Sequence, residues 1–198
     1  MAAPFLTIAG TGPGLIVAGS YVAKTSRQLH RMLDEGLAEG FELRVARLRD
    51  AAQRRDEIDG LSGRINAKLR DGVATALYTS REMQASRQEE FAGIGKVIMR
   101  ALCDVVARID VCPAYMVAKG GITSIELART ALGARDALAL GQILPGVPVW
   151  RLGTGARWPG MPYVVFPGNV GDETALAKAI RIMAAASDDY LPAAGDTP

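Results

Sequence analysis

The segment VAKGGITSIELART, residues 117–130, decides the fold class. Its first residues close an apolar run, Ala114 to Ala118, that reads as a buried strand. From Ser124 the pattern is helical, with Ile125, Leu127, Ala128 and Leu132 at helical spacing and Gly133 at the C′ position. Thr123, followed three residues later by Glu126, fits a capping box. Strand, paired glycines, helix: this is the junction of a βα unit. Such a junction presents free backbone N–H groups and the positive end of a helix dipole, which suits an anion such as phosphate. A tight turn that needs glycine for its dihedrals accounts for the same residues equally well.

Outward from this junction, apolar runs alternate with helical periodicity. Leu15 to Ala18 reads as a strand, followed by a helix from Thr25 to Ala38 with Leu29, Met32, Leu33 and Leu37 on one face. Phe41 to Ala46 is the next strand. A polar helical region, Arg47 to Arg70, follows and is expected to break near Gly60 to Gly63. Val73 to Thr79 is a buried strand, and Ser86 to Ile109 a long helix with Phe91, Ile94, Ile98, Leu102, Val105 and Ile109 in phase. Beyond the central junction, DALALGQILPGVPVWRLG holds two strands joined by the turn dipeptide Pro145-Gly146. MPYVVFPGNVGDE supplies one more strand and a glycine loop, before a helix with Leu176, Ile180 and Met183.

This order predicts an α/β fold: a mainly parallel sheet with helices on both faces, and closely spaced, antiparallel additional strands near the C-terminus. Residues 1–14 read as a linker-like segment, 15–188 as a nucleotide-binding α/β domain, and 189–198 as a frayed tail. The start resembles an interdomain linker cut open, as expected of one domain of a longer protein.

Composition narrows the function classes. The 198 residues are 49% hydrophobic and 22% charged with net charge +2, which gives no support to a nucleic-acid partner or a polybasic membrane surface. No apolar stretch is long enough to span a membrane, and the N-terminus lacks a basic signal-peptide n-region. Cys103 and Cys112 have neither metal-ligand nor disulfide-framework spacing, so a reducing, cytoplasmic setting is expected. His30 is the sole histidine and falls on a polar helix face, which removes most histidine-based catalysis and metal binding. No metal site is expected.

Three glycine loops follow three strands: Gly19-Ser20, Lys119-Gly120-Gly121, and Gly168-Asn169-Val170-Gly171. In open α/β sheets ligands sit beyond the carboxyl ends of the strands, so parallel strands would gather these loops along one edge. Together they favour a phosphate or nucleotide site. Two familiar motifs fail. AGSYVAKT has Ala18 and Ala23 where a Walker A loop requires glycine, and GTGPG precedes its strand where a dinucleotide fingerprint follows one. Single residues stay open between two roles. Ser20 suits a phosphate hydrogen bond or a helix cap; Asn169 suits a left-handed turn before a ligand contact; Lys119 suits phosphate neutralisation or plain strand-end exposure. Asp172 reads as a helix cap ahead of a magnesium ligand. Trp150, Arg151 and Trp158 suit sheet-edge packing ahead of an adenine shelf.

Gly19-Ser20, KGGITS, GQILPGVPVW and FPGNVG, in that order over nearly the whole chain, resemble the C-terminal nucleotide-binding domain of the four-carbon acid sugar kinases. The resemblance implies a phosphotransferase whose C-terminal half holds ATP with Mg2+, while an N-terminal domain binds threonate, erythronate or 3-oxo-tetronate. It maps nucleotide contacts onto Ser20, onto Gly120, Gly121, Ile122 and Thr123, and onto Gly168, Asn169 and Gly171. Some relatives carry Glu where this chain has Ile122, so that position contributes only backbone here, or a contact is lost. The family's acidic DDxTG-type motif does not occur in these residues, so no catalytic residue is assigned and the fragment alone is expected to be inactive. A homodimer is compatible with the sequence. Two other classes remain: a non-catalytic nucleotide-binding or assembly domain, and a different nucleotide-dependent enzyme on the same architecture.

Overall fold

The structure is a computed structural model that describes residues 12–19, 22–80 and 88–188. Seven strands form one sheet in the order β2-β3-β1-β4-β7-β6-β5. They are β1 (Gly14–Ala18), β2 (Glu39–Leu43), β3 (Thr75–Thr79), β4 (Tyr115–Lys119), β5 (Ala137–Leu144), β6 (Val147–Leu152) and β7 (Pro162–Phe166). The first five in spatial order run parallel, and β6 and β5 close one edge antiparallel. The expected α/β architecture, with its antiparallel C-terminal strands, is the observed one. The linker-like start before Gly12, the tail from 189 and the start of the long helix lie outside the described residues.

Handedness explains where the helices go. From β1 the chain moves toward one edge to reach β2, then returns through β3 and past β1 to β4. Right-handed crossovers therefore place the outgoing helix on one face and the returning helices on the other. Accordingly α1 (Ala23–Asp34) packs with α5 (Ala175–Asp188), while α2 (Ala51–Arg70) packs with α3 (Gln88–Ala107). Two apolar layers result. Ile16, Val117, Val164, Leu29, Met32, Leu176 and Ile180 fill the α1/α5 side. Leu15, Val17, Leu61, Ile65, Leu102 and Val105 fill the other. Each such fully buried aliphatic side chain contributes about 1.5–3 kcal/mol relative to exposure.

Three local expectations are corrected. The helix α2 runs unbroken through Gly60 and Gly63, which face solvent with nothing near their Cβ positions. Ile58, Leu61, Ile65 and Leu69 bury one stripe, and this packing outweighs about 1 kcal/mol of lost propensity per glycine. Phe41 to Ala46 does not stay extended: β2 ends at Leu43 and a 3₁₀ turn, Val45–Arg49, buries Val45 and Leu48. The central helix begins not at Ser124 but at Gly121, as α4 (Gly121–Glu126), and continues as a π-helical turn, Leu127–Ala131. Thr123 is thus inside the first turn and makes no capping box, and Glu126 instead bonds Arg129 and Thr130. The widened turn faces Tyr163, whose hydroxyl donates to the Ser124 carbonyl at 2.7 Å, a side chain inserted into the helical ladder. Gly133 follows this helix with φ +63°, as a C′ glycine does.

Candidate functional site

β1, β4 and β7 are neighbours at the centre of the sheet, and Ala18, Lys119 and Phe166 lie in register across their carboxyl ends. The three glycine loops therefore leave the sheet side by side, as their sequence contexts predicted. The exits diverge: the loops after β1 and β7 lead to α1 and α5 on one face, and that after β4 leads to α4 on the other. Adjacent strands whose connections part to opposite faces open a crevice between them, the place where open α/β sheets bind ligands.

The β4 exit is built from two dissimilar glycines. Gly120 has φ +118°, a conformation that L side chains rarely adopt, and it donates to the Phe166 carbonyl at 2.8 Å. Gly121 has an ordinary φ, and a Cβ built on it meets nothing within 4 Å. Turn geometry demands the first glycine and leaves the second without an internal reason. The Ser124 hydroxyl ties the helix start to the strand through the Ala118 and Gly120 carbonyls, at 2.9 and 2.8 Å. Ile122 projects outward, 76% exposed. Thr123 is buried, and its Oγ1 would lie 2.7 Å from a Cβ on Gly19. Gly19 is thus a close-approach glycine that lets the β1 exit pass against α4. Ser20 lies outside the described residues.

The β7 exit is held from beneath by α1. Lys24 Nζ donates to the Asn169 carbonyl (3.0 Å), Thr25 Oγ1 to that of Gly168 (3.2 Å), and Gln28 Nε2 to those of Val170 (3.0 Å) and Asp172 (2.6 Å). In a trans peptide the C=O and the following N–H point in opposite directions. Carbonyls drawn toward α1 therefore turn the N–H groups of Asn169, Val170 and Gly171 away from it, in the manner of an anion-binding concavity. Asn169 does not occupy a left-handed conformation: among the described residues only glycines have positive φ, and here Gly171, at +78°, takes that role. Asp172 acts as a cap, accepting from the Thr174 N–H (2.9 Å) and hydroxyl (2.7 Å). Those bonds, with Lys178, hold its carboxyl below the usual range.

Lys119 departs furthest from expectation. It is fully buried, its Nζ donating to the Pro167 carbonyl at 2.8 Å and lying 3.9 Å from the Phe166 ring centroid. Burial, with the nearby charge of Lys24, pushes its pKa down to about 7. Lys24, Thr25 and Gln28 were not read as site residues. Their signal was present: Thr25 and Gln28 share the buried stripe of α1 with Leu29 and Met32, and polar residues on such a stripe need partners.

Other candidates fall away from this edge. Trp150 stacks on Tyr163, 6.2 Å between centroids, and Trp158 is buried in the core, which is aromatic packing and no shelf at the loops. His30 is exposed on α1. A separate cleft of about 420 Å³ lies beside β2 and α2, lined by Phe41, Arg44, Glu57 and Arg64 among others. Its buried carboxylate, Glu57, is already bonded by Arg44 (2.6 Å), with Arg47 at 3.5 Å. Burial raises the Glu57 pKa, but the hydrogen bonds and charge of Arg44 outweigh it, so the carboxylate stays ionised as part of a structural ion pair. Among the described residues no cluster of three or more His, Cys, Asp or Glu is placed to hold a metal, and no helix is long and apolar enough to cross a membrane.

Residues 15–176 match the model of the nucleotide-binding C-terminal domain family, and the chain belongs to that family. Among the solved structures that share the fold, two illustrate it. One is a domain of unknown function from Bordetella bronchiseptica, described as a domain-swapped dimer with bound citrate. It is 22% identical with a TM-score of 0.71, over 90% of this chain and 42% of that one. The other is a Haemophilus influenzae protein with the same domain, 20% identical with a TM-score of 0.70, over 88% of this chain and 41% of that one. The chain thus spans about four-tenths of the length of these relatives. No curated protein matches it.

Proposed function

We propose that this chain is the ATP-binding half of a cytoplasmic kinase that phosphorylates four-carbon sugar acids of the threonate, erythronate or 3-oxo-tetronate type, with acceptor binding supplied by an N-terminal domain. One observation carries the nucleotide part: three glycine loops leave three adjacent strands in register, where the connections diverge. Family membership agrees with it. The acceptor class comes from the resemblance of KGGITS, GQILPGVPVW and FPGNVG to the sugar-acid kinases.

In this reading Gly121, Ile122 and Thr123 contribute backbone N–H groups at the start of α4, Gly120 sets the turn that aims them while its own N–H stays on the Phe166 carbonyl, Gly168, Asn169 and Gly171 contribute the second cradle, and Ser20 a hydroxyl. These donors, with Lys119 and Lys24 beneath, suit phosphate oxygens and not a bare cation. Mg2+ would arrive on the nucleotide and supply charge neutralisation at the transferring phosphoryl group. Homodimerisation is part of the proposal, by analogy with the swapped relative.

Calorimetry with ATP and Mg2+ tests the nucleotide reading. The expected result is a weak, saturable complex, because a half-site lacks closure contacts. No heat and no thermal protection at about 1 mM nucleotide, the range of a weak complex, would sink it.

A further inference from the structure

A desolvated cation is costly unless something compensates it, and buried lysines ordinarily pair with a carboxylate. Lys119 has no carboxylate partner among the described residues. The charged groups on the elements around it do not help. Lys24 on α1 is of the same sign, and Asp172 in the β7 exit is taken up by Thr174 and Lys178. Beyond it on α5, Lys178 is a further cation, and Arg27 and Glu173 pair with each other. What the ammonium does touch is the loop itself: the Pro167 carbonyl at 2.8 Å, the Gly168 carbonyl at 3.5 Å, and the face of Phe166.

We propose that Lys119 is the positioning cation of the β7 exit loop: its ammonium holds the Pro167 and Gly168 carbonyls, and a polyphosphate docked on that loop supplies the missing counter-charge. The inference rests on the nucleotide reading for the identity of the anion, but not for the hold on the loop. Lys119 acts through the loop and does not touch the reacting atoms. The anion stabilises the protonated lysine, and the protonated lysine fixes the peptide groups whose N–H ends face the anion. Binding and protonation are therefore linked, each favouring the other.

The lysine's lowered pKa, about 7 against an ordinary 10.5, brings this linkage into an accessible range. Between those values the unfolded chain binds more protons than the folded one, so stability rises with pH across the window.

The experiment is a titration of the 198-residue chain by NMR, following the Lys119 side chain and the amides of Gly168, Asn169 and Gly171. Free protein, protein with MgATP and protein with tripolyphosphate are compared, beside Lys119→Met and Lys119→Arg. We expect the loop amides to titrate with the lysine's own midpoint and to stop doing so in Lys119→Met. Both anions should move that midpoint upward. MgATP affinity should fall about tenfold in Lys119→Met below the midpoint, as for loss of a charge-assisted contact, with Lys119→Arg recovering part of it. Loop amides indifferent to the lysine's titration overturn the proposal, even if Lys119→Met does not fold, because the native protein reports them. An anion that binds without moving the midpoint, or no binding by either anion, overturns the counter-charge. Tripolyphosphate that binds and moves the midpoint while MgATP does not bind upholds the proposal and sinks the nucleotide reading instead.

Discussion

At the residue scale, three glycines at one sheet edge serve three different physical needs. Gly120 is required by its φ of +118°. Gly19 is required because a methyl group would meet Thr123 Oγ1 at 2.7 Å and Leu102 Cδ1 at 3.0 Å. Gly121 is required by neither. Replacing Gly19 by Ala should overpack the junction and cost about 1–3 kcal/mol of stability. Gly121→Val should leave stability within about 1 kcal/mol, since helix propensity alone is affected, yet place two methyl groups where phosphate approaches. Thermal unfolding and ATP calorimetry on both variants separate the two roles. Unchanged nucleotide binding in a folded Gly121→Val protein would reduce Gly121 to an incidental turn residue.

At the scale of elements, the first turns of α1 do more than cover the sheet. Their polar residues hold the loop after β7, which lies more than a hundred residues away in sequence. Gln28 is the central contact, fully buried with its amide shared between Val170 and Asp172. Gln28→Leu keeps the bulk and removes the donor, leaving two carbonyls short of partners. A loss of about 1–3 kcal/mol follows from the desolvation of such groups. Amide hydrogen exchange should accelerate at residues 168–171 while β1 and β4 stay protected, because the defect is local. Equal acceleration across the whole sheet would mean that Gln28 supports the core and not the loop.

At the scale of the whole molecule, the proposed reading gives the chain phosphate cradles and leaves acceptor binding to another domain. Holding two reactants together supplies roughly 7–11 kcal/mol in well-oriented cases, and a half-site forgoes that. These 198 residues alone should show at most slow ATP hydrolysis and no stimulation by four-carbon sugar acids. Fusion to, or addition of, an N-terminal domain carrying the DDxTG-type motif should restore acid-dependent ADP release. The measurement is ADP release with and without threonate or erythronate for both forms. Robust acid-dependent turnover by the present chain would place an acceptor site within it.

The alternation of apolar runs with helical periods was sufficient for the fold class, because buried strands and amphipathic helices each leave a local pattern that tertiary packing seldom reverses. The strand-glycine-helix contexts of Gly19, Gly120 and Gly168 likewise made the shared edge of these loops, the candidate site, legible, since parallel strands bring equivalent ends together. Local pattern failed where packing chose between near-equal options. Gly60 and Gly63 look like a helix break until Leu61, Ile65 and Leu69 are seen to bury the same helix. Thr123 looks like a cap until Gly19 is seen packed against it. Lys119 looks like an exposed strand end, and only the return of β7 beside β4 encloses it under Pro167, Gly168 and the Phe166 ring. The sequence by itself determined which segments are strands and helices and which turns carry glycine. The enclosure of a cation with no acid to meet it among the described residues was decided by the tertiary structure alone, because burial and charge pairing depend on distant segments that no local pattern brings together.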